Sequence, residues 1–357
     1  MNFRVHHAVL VIVFFSFSHS SIAHHAITPH FDSKRTVEFT GVISEFKLVN
    51  PHAYIYVDVA DDKGGLVTWN CEMNAASTMR RFGWSQELFP IGAEISVEGW
   101  AAHRDGLGCA FQKGTLADGT VVLRSGDIAL PNQTEVAAQQ SSSAKEIDMD
   151  LKTISGNWIT TRPSGPPTGF GPWTRMEELS AKLTTAGLEA SNHYDIRFDD
   201  PALQCSPSSI VRAWSEIDGV SEITLTDEQV VIRHAYMDTE RVIDLTLDSH
   251  PDVIQPTLTG HSIGRFEGDK LVVETVGFTP GVLAPHPGIL NSDKLRIIET
   301  ISLVEGGTHL QNAVEIVDDS FFNEPLQSLG YWARTNEPLT EYNCVELSGK
   351  NNERPDE

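Results

Sequence analysis

The chain has 357 residues, a formal net charge of -23 and four cysteines. A surface this acidic repels nucleic acid and anionic lipid, and no basic cluster offsets the charge, so nucleic acid is excluded as a partner. A chain of this length is usually too long to fold around a single hydrophobic core, so two domains are expected.

The first 23 residues have the order of a secretory signal peptide. Arg4 supplies a positive charge, residues 8–15 are apolar, and small residues follow up to Ala23. Cleavage is expected between Ala23 and His24. The apolar run is too short to span a bilayer comfortably, and a retained anchor is the alternative. No later stretch reaches transmembrane length, so we expect a soluble periplasmic or secreted protein with no membrane span after cleavage.

A composition break divides the rest of the chain. Residues 131–150 are polar and have too little apolar content to pack, which indicates a flexible linker between domains at 24–130 and 151–350. In the first domain, apolar alternation predicts five strands, the last at Val121–Leu123, with a helical pattern at Ala75–Phe82 after the third. That order is typical of an OB-type barrel.

The second domain reads almost entirely as strands and turns. Eight to ten alternating or β-branched runs are joined by tight turns such as Glu267-Gly-Asp269, which favours antiparallel hairpins and a closed or nearly closed barrel. Gly156-x-Trp158 resembles the glycine-x-tryptophan signature of lipocalin-like barrels, whose tryptophan plugs the barrel floor. An immunoglobulin-like sandwich is the alternative. The predicted fold class is mainly β: an OB-like small barrel followed by a larger antiparallel lipocalin-like β-barrel.

All four cysteines lie in the mature chain and would reach an oxidising compartment. Four cysteines allow three connectivities. The domain division favours Cys71 with Cys109 and Cys205 with Cys344, and buried free thiols are the alternative.

Both halves resemble known groups of exported bacterial proteins. In the first half, His24-His25, Asn50-Pro-His52, Trp69, Glu72 and Leu116-Ala-Asp-Gly119 resemble a family of small secreted bacterial proteins of unassigned function. The second half is similar to exported hypothetical proteins through Gly260-His-Ser-Ile-Gly-Arg265-x-Glu-Gly-Asp269 and Tyr342-x-Cys344-x-Glu346. These resemblances imply a compartment and domain boundaries, and the second implies that Cys205 pairs with Cys344. They imply no activity.

The expected mature N-terminus is a candidate metal site. Cleavage would leave His24 with a free amine and an imidazole that can chelate one ion, and His25, His30 or His52 could add a third nitrogen. Among divalent ions, neutral nitrogen donors suit copper best. The site is similar to the N-terminal histidine copper sites of exported copper chaperones and oxidative polysaccharide-cleaving enzymes. A frayed polar terminus is the alternative.

Polar and titratable residues concentrate in the second domain. A barrel interior that holds Arg241, His261 and Glu274 would supply electrophilic, basic and acidic groups for proton transfer, with Tyr236 and Asp238 as further catalytic candidates. The same residues could instead be hydrogen-bonded structural residues of hairpins and sheet faces. The sequence has no signature of a familiar hydrolase, zinc protease, kinase or dehydrogenase.

The sequence therefore predicts an exported two-domain binding protein. It would have a copper site at its N-terminus and a small apolar or aromatic ligand in the C-terminal barrel. The alternatives are a cofactor-independent lyase or isomerase that acts in that barrel, and an interaction module of the cell envelope.

Overall fold

The computed structural model describes residues 29–130, 153–160, 179–215, 219–285 and 288–346. The predicted signal peptide and the predicted linker lie outside these ranges. The described chain is mainly β. None of the described helices is long and apolar enough to cross a membrane.

The N-terminal part is a sheet of seven strands in the order β3-β2-β1-β4-β5-β6-β7. A short helix, α1, covers Ala76–Arg81 between β3 and β4. The strands are β1 (Phe31–Lys47), β2 (Tyr54–Ala60), β3 (Leu66–Glu72), β4 (Glu94–Ala102), β5 (Gly108–Leu116), β6 (Val121–Leu123) and β7 (Ile128–Ala129).

A parallel pairing between β3 and β5 closes the first five strands into a barrel. Cys71 and Cys109 are partner residues in that pairing and form a disulfide. The strand order, with a helix after the third strand, confirms the OB-like prediction. The fifth barrel strand is β5, however, and not the predicted Val121–Leu123. The sequence pattern did not predict β5, because glycines weaken a strand pattern. In the structure, Gly114 lies close to Phe111 and Ile95 in a tightly packed barrel.

The C-terminal part is a closed barrel of nine strands in the order β10-β11-β12-β13-β16-β17-β18-β8-β9. All neighbours are antiparallel except β11 and β12, which run parallel through Ile243 and Ser262. Its strands are β8 (Gly156–Ile159), β9 (Val220–Leu225), β10 (Gln229–His234), β11 (Thr239–Asp244), β12 (His261–Glu267), β13 (Lys270–Val276), β16 (Arg296–Val304), β17 (His309–Val317) and β18 (Leu326–Thr335). The predicted closed barrel is thus confirmed.

Short helices and a hairpin pack against the barrel. The hairpin pairs β14 (Gly281–Ala284) with β15 (Ile289–Asn291), and its Leu283 and Ile289 share an apolar cluster with Ile210 and Val211. The helices are α2 (Thr185–His193), α3 (Ile196–Asp199) and α4 (Ile210–Ser215). Together the hairpin and α4 cover one group of inward-facing strand residues, and we call them the cap.

Trp158 of the predicted signature is fully buried in a second apolar cluster. Its indole Nε1 donates to the Ile154 carbonyl at 2.9 Å. The Arg334 guanidinium lies over its ring, 4.2 Å from the centroid, and donates to the Ser155 and Thr153 carbonyls. These contacts fix β8 to β18 where the barrel closes.

The two barrels contact each other through Asn50, which is buried. The Asn50 side chain donates to the Tyr342 carbonyl, and the Val345 amide donates to the Asn50 carbonyl at 2.7 Å. A disulfide between Cys205 and Cys344 holds the C-terminal segment in this position. Both predicted disulfide pairs are therefore confirmed.

Candidate ligand-binding site

A layer of polar side chains crosses the interior of the nine-stranded barrel. Because alternate residues of a barrel strand face inward, neighbouring strands can each contribute one side chain at the same height in the barrel. All the members are less than a tenth exposed. We call this set the polar layer: Ser221, His234, Arg241, Ser262, Thr275, Glu299 and Asn312.

The centre of the polar layer is an ion pair between Arg241 and Glu299, whose side chains are each 1% exposed. Arg241 Nη2 donates to Glu299 Oε2 and to Thr275 Oγ1, and Nε donates to Ser262 Oγ at 3.0 Å. Asn312 Nδ2 donates to the other carboxylate oxygen of Glu299 at 2.9 Å. A buried ion pair needs such additional hydrogen bonds to offset the loss of hydration.

His234 lies beside this pair and is neutral at pH 7. Its Nδ1 is 2.7 Å from Ser221 Oγ, and its ring meets the Trp214 indole edge to face with centroids 4.8 Å apart. Burial, and then the charge of Arg241, lower the pKa of His234 to about 3. The charges of Arg241 and Glu299 cancel, so the polar layer as a whole carries no net charge at pH 7.

Four buried polar atoms in and beside the polar layer have no hydrogen-bond partner in the part of the chain that the structure describes. They are Arg241 Nη1, His234 Nε2, Asn312 Oδ1 and, from α4, Trp214 Nε1. An unmade buried hydrogen bond costs about 1–3 kcal/mol. Such atoms are few in native proteins, and a group of them calls for an explanation. The arrangement can donate to and accept from a small molecule or ordered water.

Apolar clusters flank the polar layer on both sides. The cluster around Trp158, Trp214 and Trp332 includes Ile232, Ile243, Leu271 and Val273 from the strands. The cluster under the cap includes Leu283, Ile289, Ile297, Val314 and Ile316. Both clusters are rich in aromatic or branched side chains, so a molecule that reaches the polar layer would meet apolar surface on either side.

The structure separates the three residues that the sequence assigned to one interior. Arg241 faces inward, but His261 and Glu274 lie on the outer face, where Glu274 Oε1 accepts from Arg296 Nη1 at 2.9 Å. The expectation that one interior holds all three is therefore corrected. In β12 the inward positions are Ser262 and Gly264, which are buried.

Tyr236 and Asp238 lie apart from the polar layer and contact the C-terminal segment. The Tyr236 ring meets the Tyr342 ring with centroids 5.5 Å apart, and Asp238 Oδ1 accepts from the Tyr342 amide at 2.9 Å. Each has a structural contact here. The catalytic role proposed for Tyr236, Asp238, Arg241, His261 and Glu274 stays a prediction.

Of the predicted metal ligands, His24 and His25 lie outside the described residues, and His52 lies in the first barrel. Its Nδ1 is 3.4 Å from Glu72 Oε1 and 3.2 Å from the Met73 carbonyl. His30 lies close enough to interact electrostatically with both His52 and Glu72, and burial lowers the pKa of His30. Within the described ranges, no three His, Cys, Asp or Glu side chains are grouped so that they could hold a metal ion.

Sequence reasoning missed His234, Glu299 and Asn312. A signal was present for Glu299, because Ile297 and Ile301 have the same strand parity and face the core. Asn312 likewise shares parity with the buried Leu310 and Val314. A polar residue between two inward apolar residues of one strand predicts an inward polar side chain.

Fold and site together define a closed β-barrel with a buried polar layer that carries no net charge. Residues 12–110, in the N-terminal part, match the model of a family of unknown function, DUF6152. No curated protein matches the chain. The resemblance of the C-terminal half to exported bacterial proteins stays a prediction.

Solved structures of the fluorescent protein UnaG are similar to part of the chain. Two single-substitution mutants and the wild type are 11%, 11% and 10% identical to it, with TM-scores of 0.24, 0.25 and 0.24. The matches cover 53%, 52% and 52% of this chain, and 100%, 99% and 99% of the UnaG chains. A likeness this weak does not define a shared ligand or activity.

Replacing Arg241 with Met should strongly destabilise the protein. Glu299 would stay buried without its counter-charge, so we expect the free energy of unfolding to fall by about 3–5 kcal/mol. Chemical denaturation measures it. Arg233→Met is the matched control, because Arg233 pairs with Glu240 at 2.7 Å on the exposed face of β10, where an ion pair contributes little. Equal effects of the two substitutions would contradict the role of the ion pair.

Stability should fall on acidification because of His234. Its pKa is about 3 in the folded protein against an ordinary value of 6.5, so only the unfolded chain takes up this proton between those values. Below pH 6.5 the free energy of unfolding falls by about 1.4 kcal/mol per pH unit, until the pH reaches the pKa of His234 in the folded protein. Chemical denaturation of wild type and His234→Gln at pH values from 8 to 4 separates the contribution of His234 from that of the other titrating groups. Parallel curves for the two proteins would refute the assignment.

Proposed function

We propose that this protein is an exported binding protein whose C-terminal barrel holds a small, mainly apolar or aromatic molecule through one polar head group. The observation that carries the proposal is the group of unpartnered buried atoms at the polar layer: Arg241 Nη1, His234 Nε2, Asn312 Oδ1 and Trp214 Nε1. A bound head group would satisfy atoms that otherwise cost stability.

The charge balance selects a neutral head group. Glu299 already neutralises Arg241, and His234 is uncharged at pH 7. A carboxylate brought into the polar layer would be a buried charge without a partner, which is costly. An amide fits better, because it can satisfy three of the four atoms: its oxygen can accept from Arg241 and Trp214 while its N–H donates to Asn312.

Access to the polar layer requires part of the cap to move. The apolar cluster under the cap includes Ile210 and Val211 of α4 and Leu283 and Ile289 of the hairpin, and it lies between these elements and the strands. A ligand would enter when the hairpin separates from the barrel end, while α4 stays anchored through Trp214 in the tryptophan cluster on the other side of the polar layer. Binding that needs such a change is slower than the usual association rates of about 10⁵–10⁷ M⁻¹s⁻¹.

Phenylacetamide and phenylacetate form a matched pair of probes for this site. We expect the amide to change the fluorescence of the barrel tryptophans and to bind at least about tenfold more tightly than the anion, a difference of about 1.4 kcal/mol. Trp214→Phe, which removes one donor and keeps an aromatic ring, should weaken the amide about tenfold. Trp100→Phe in the first barrel is the control. An unchanged fluorescence across these probes and a wider hydrophobic panel would remove the support for the proposal.

Export is part of the same proposal. Two disulfides, Cys71–Cys109 and Cys205–Cys344, are typical of proteins that fold in an oxidising compartment. They support the signal peptide and the periplasmic or secreted location that the sequence predicts.

Copper binding at the mature N-terminus is a second candidate function. The observation that favours it is that His30, His52 and Glu72 lie near one another in the first barrel. His30 is the second of the described residues. His24 precedes Pro29 by five residues, which at about 3.5 Å each is enough chain to reach that neighbourhood. The amine and imidazole of His24, with His25 or His52, would then form a nitrogen donor set of the kind copper prefers.

Titration of the metal-free mature protein with Cu(II), followed by EPR, tests this second candidate. We expect one tight site with nitrogen hyperfine structure and His24 as residue one by intact mass. The matched control carries His24→Ala and His25→Ala, which removes both imidazoles next to the amine and should abolish the tight site. Equal binding by both proteins would retire the N-terminal copper site.

A further inference from the structure

Two histidines on the outside of the nine-stranded barrel face each other through the same ring atom. His261 begins β12, and His250 lies in the segment that connects β11 to β12. Their Nδ1 atoms are 2.9 Å apart, and their rings are tilted at 68° with centroids 5.1 Å apart. This pair is separate from the polar layer and from the N-terminal histidines.

The separation of the two nitrogens matches one edge of a square-planar metal site. Metal–imidazole bonds of about 2.0–2.1 Å at a right angle place two nitrogens about 2.9 Å apart, whereas a tetrahedral angle places them about 3.3–3.4 Å apart. Square-planar or tetragonal nitrogen and oxygen coordination is typical of Cu(II) and Ni(II). The pair therefore suits Cu(II) better than Zn(II).

The carboxylate of Glu274 lies near the second ring nitrogen of His250, on the side away from His261 Nδ1. Glu274 Oε2 is 4.0 Å from His250 Nε2, which is buried and makes no hydrogen bond within the described residues. Arg296 holds the other oxygen of Glu274 at 2.9 Å. Metal-bound histidines commonly direct their second ring nitrogen to a carboxylate, which orients the ring and raises its basicity.

The backbone holds the two histidines in place. The His261 end of β12 pairs with Val276 of β13. The connecting segment that carries His250 is tied to the barrel at Thr257, whose amide donates to the Gly277 carbonyl at 3.1 Å and whose carbonyl accepts from the Thr279 amide at 2.9 Å. The connecting segment is thus anchored to the barrel at a point that lies, in the sequence, between His250 and His261.

We propose that His250 and His261 bind one divalent transition-metal ion, Cu(II) foremost, on the outer face of the barrel. Both Nδ1 atoms act as ligands, and Glu274 is a positioning residue behind His250. In the described part of the chain, no third His, Cys, Asp or Glu side chain is placed to act as a further ligand with them, so water molecules complete the coordination in this proposal. The acidic surface, with its formal net charge of -23, raises the local concentration of cations.

Cu(II) titration of the full mature chain with His24→Ala and His25→Ala tests this site, because the two substitutions remove the imidazoles of the N-terminal chelate. Glycine present as a competitor suppresses weak carboxylate binding. We expect one-to-one binding with EPR hyperfine structure from two nitrogens. His261→Gln and His250→Gln should each lower the affinity at least about tenfold and leave one nitrogen, and Glu274→Gln should lower it about tenfold.

His309→Gln is the matched control, because His309 pairs with Glu305 at 2.9 Å on the surface, away from the proposed site. It should leave affinity and spectrum unchanged. Circular dichroism establishes that each variant is folded. If His261→Gln and His309→Gln bind Cu(II) equally, the histidine pair is only a hydrogen bond between two imidazoles and the proposal is overturned.

Discussion

The buried ion pair between Arg241 and Glu299 is the interaction on which the interior of the C-terminal barrel depends. It ties β11 to β16 across β12 and β13, and Ser262, Thr275 and Asn312 complete its hydrogen bonds. An apolar pair of similar volume would often be as stable or more so. The ion pair therefore gives the barrel a polar interior at some cost in stability.

In the proposed binding protein, the polar layer also determines what the barrel accepts. Its two charges cancel, and His234 stays neutral, so selectivity rests on hydrogen bonding and shape. Rejection by such a site is strong, because a wrong molecule leaves buried polar atoms unpaired. The apolar clusters on either side supply contact area but little discrimination, since they match any apolar body of suitable size.

Much of the fold could be predicted from the sequence, and the site only in part. Strand alternation, turn residues and cysteine placement predicted two β-barrels and both disulfides. In β12, however, Ile263 lies on the outer side with His261, while Ser262 and Gly264 face inward. Apolar residues on the outer face therefore hid the parity that would have excluded His261 from the interior. The pair of His250 and His261 depends on a long connection, which no local pattern encodes.

A high-resolution crystal structure of the protein purified from its native source would show whether the barrel interior holds a ligand. We expect one non-protein molecule in the barrel, with atoms within about 2.7–3.2 Å of Arg241 Nη1, Trp214 Nε1 and Asn312 Oδ1. An interior in which protein groups or isolated water molecules satisfy these atoms, with no bound molecule, would contradict it.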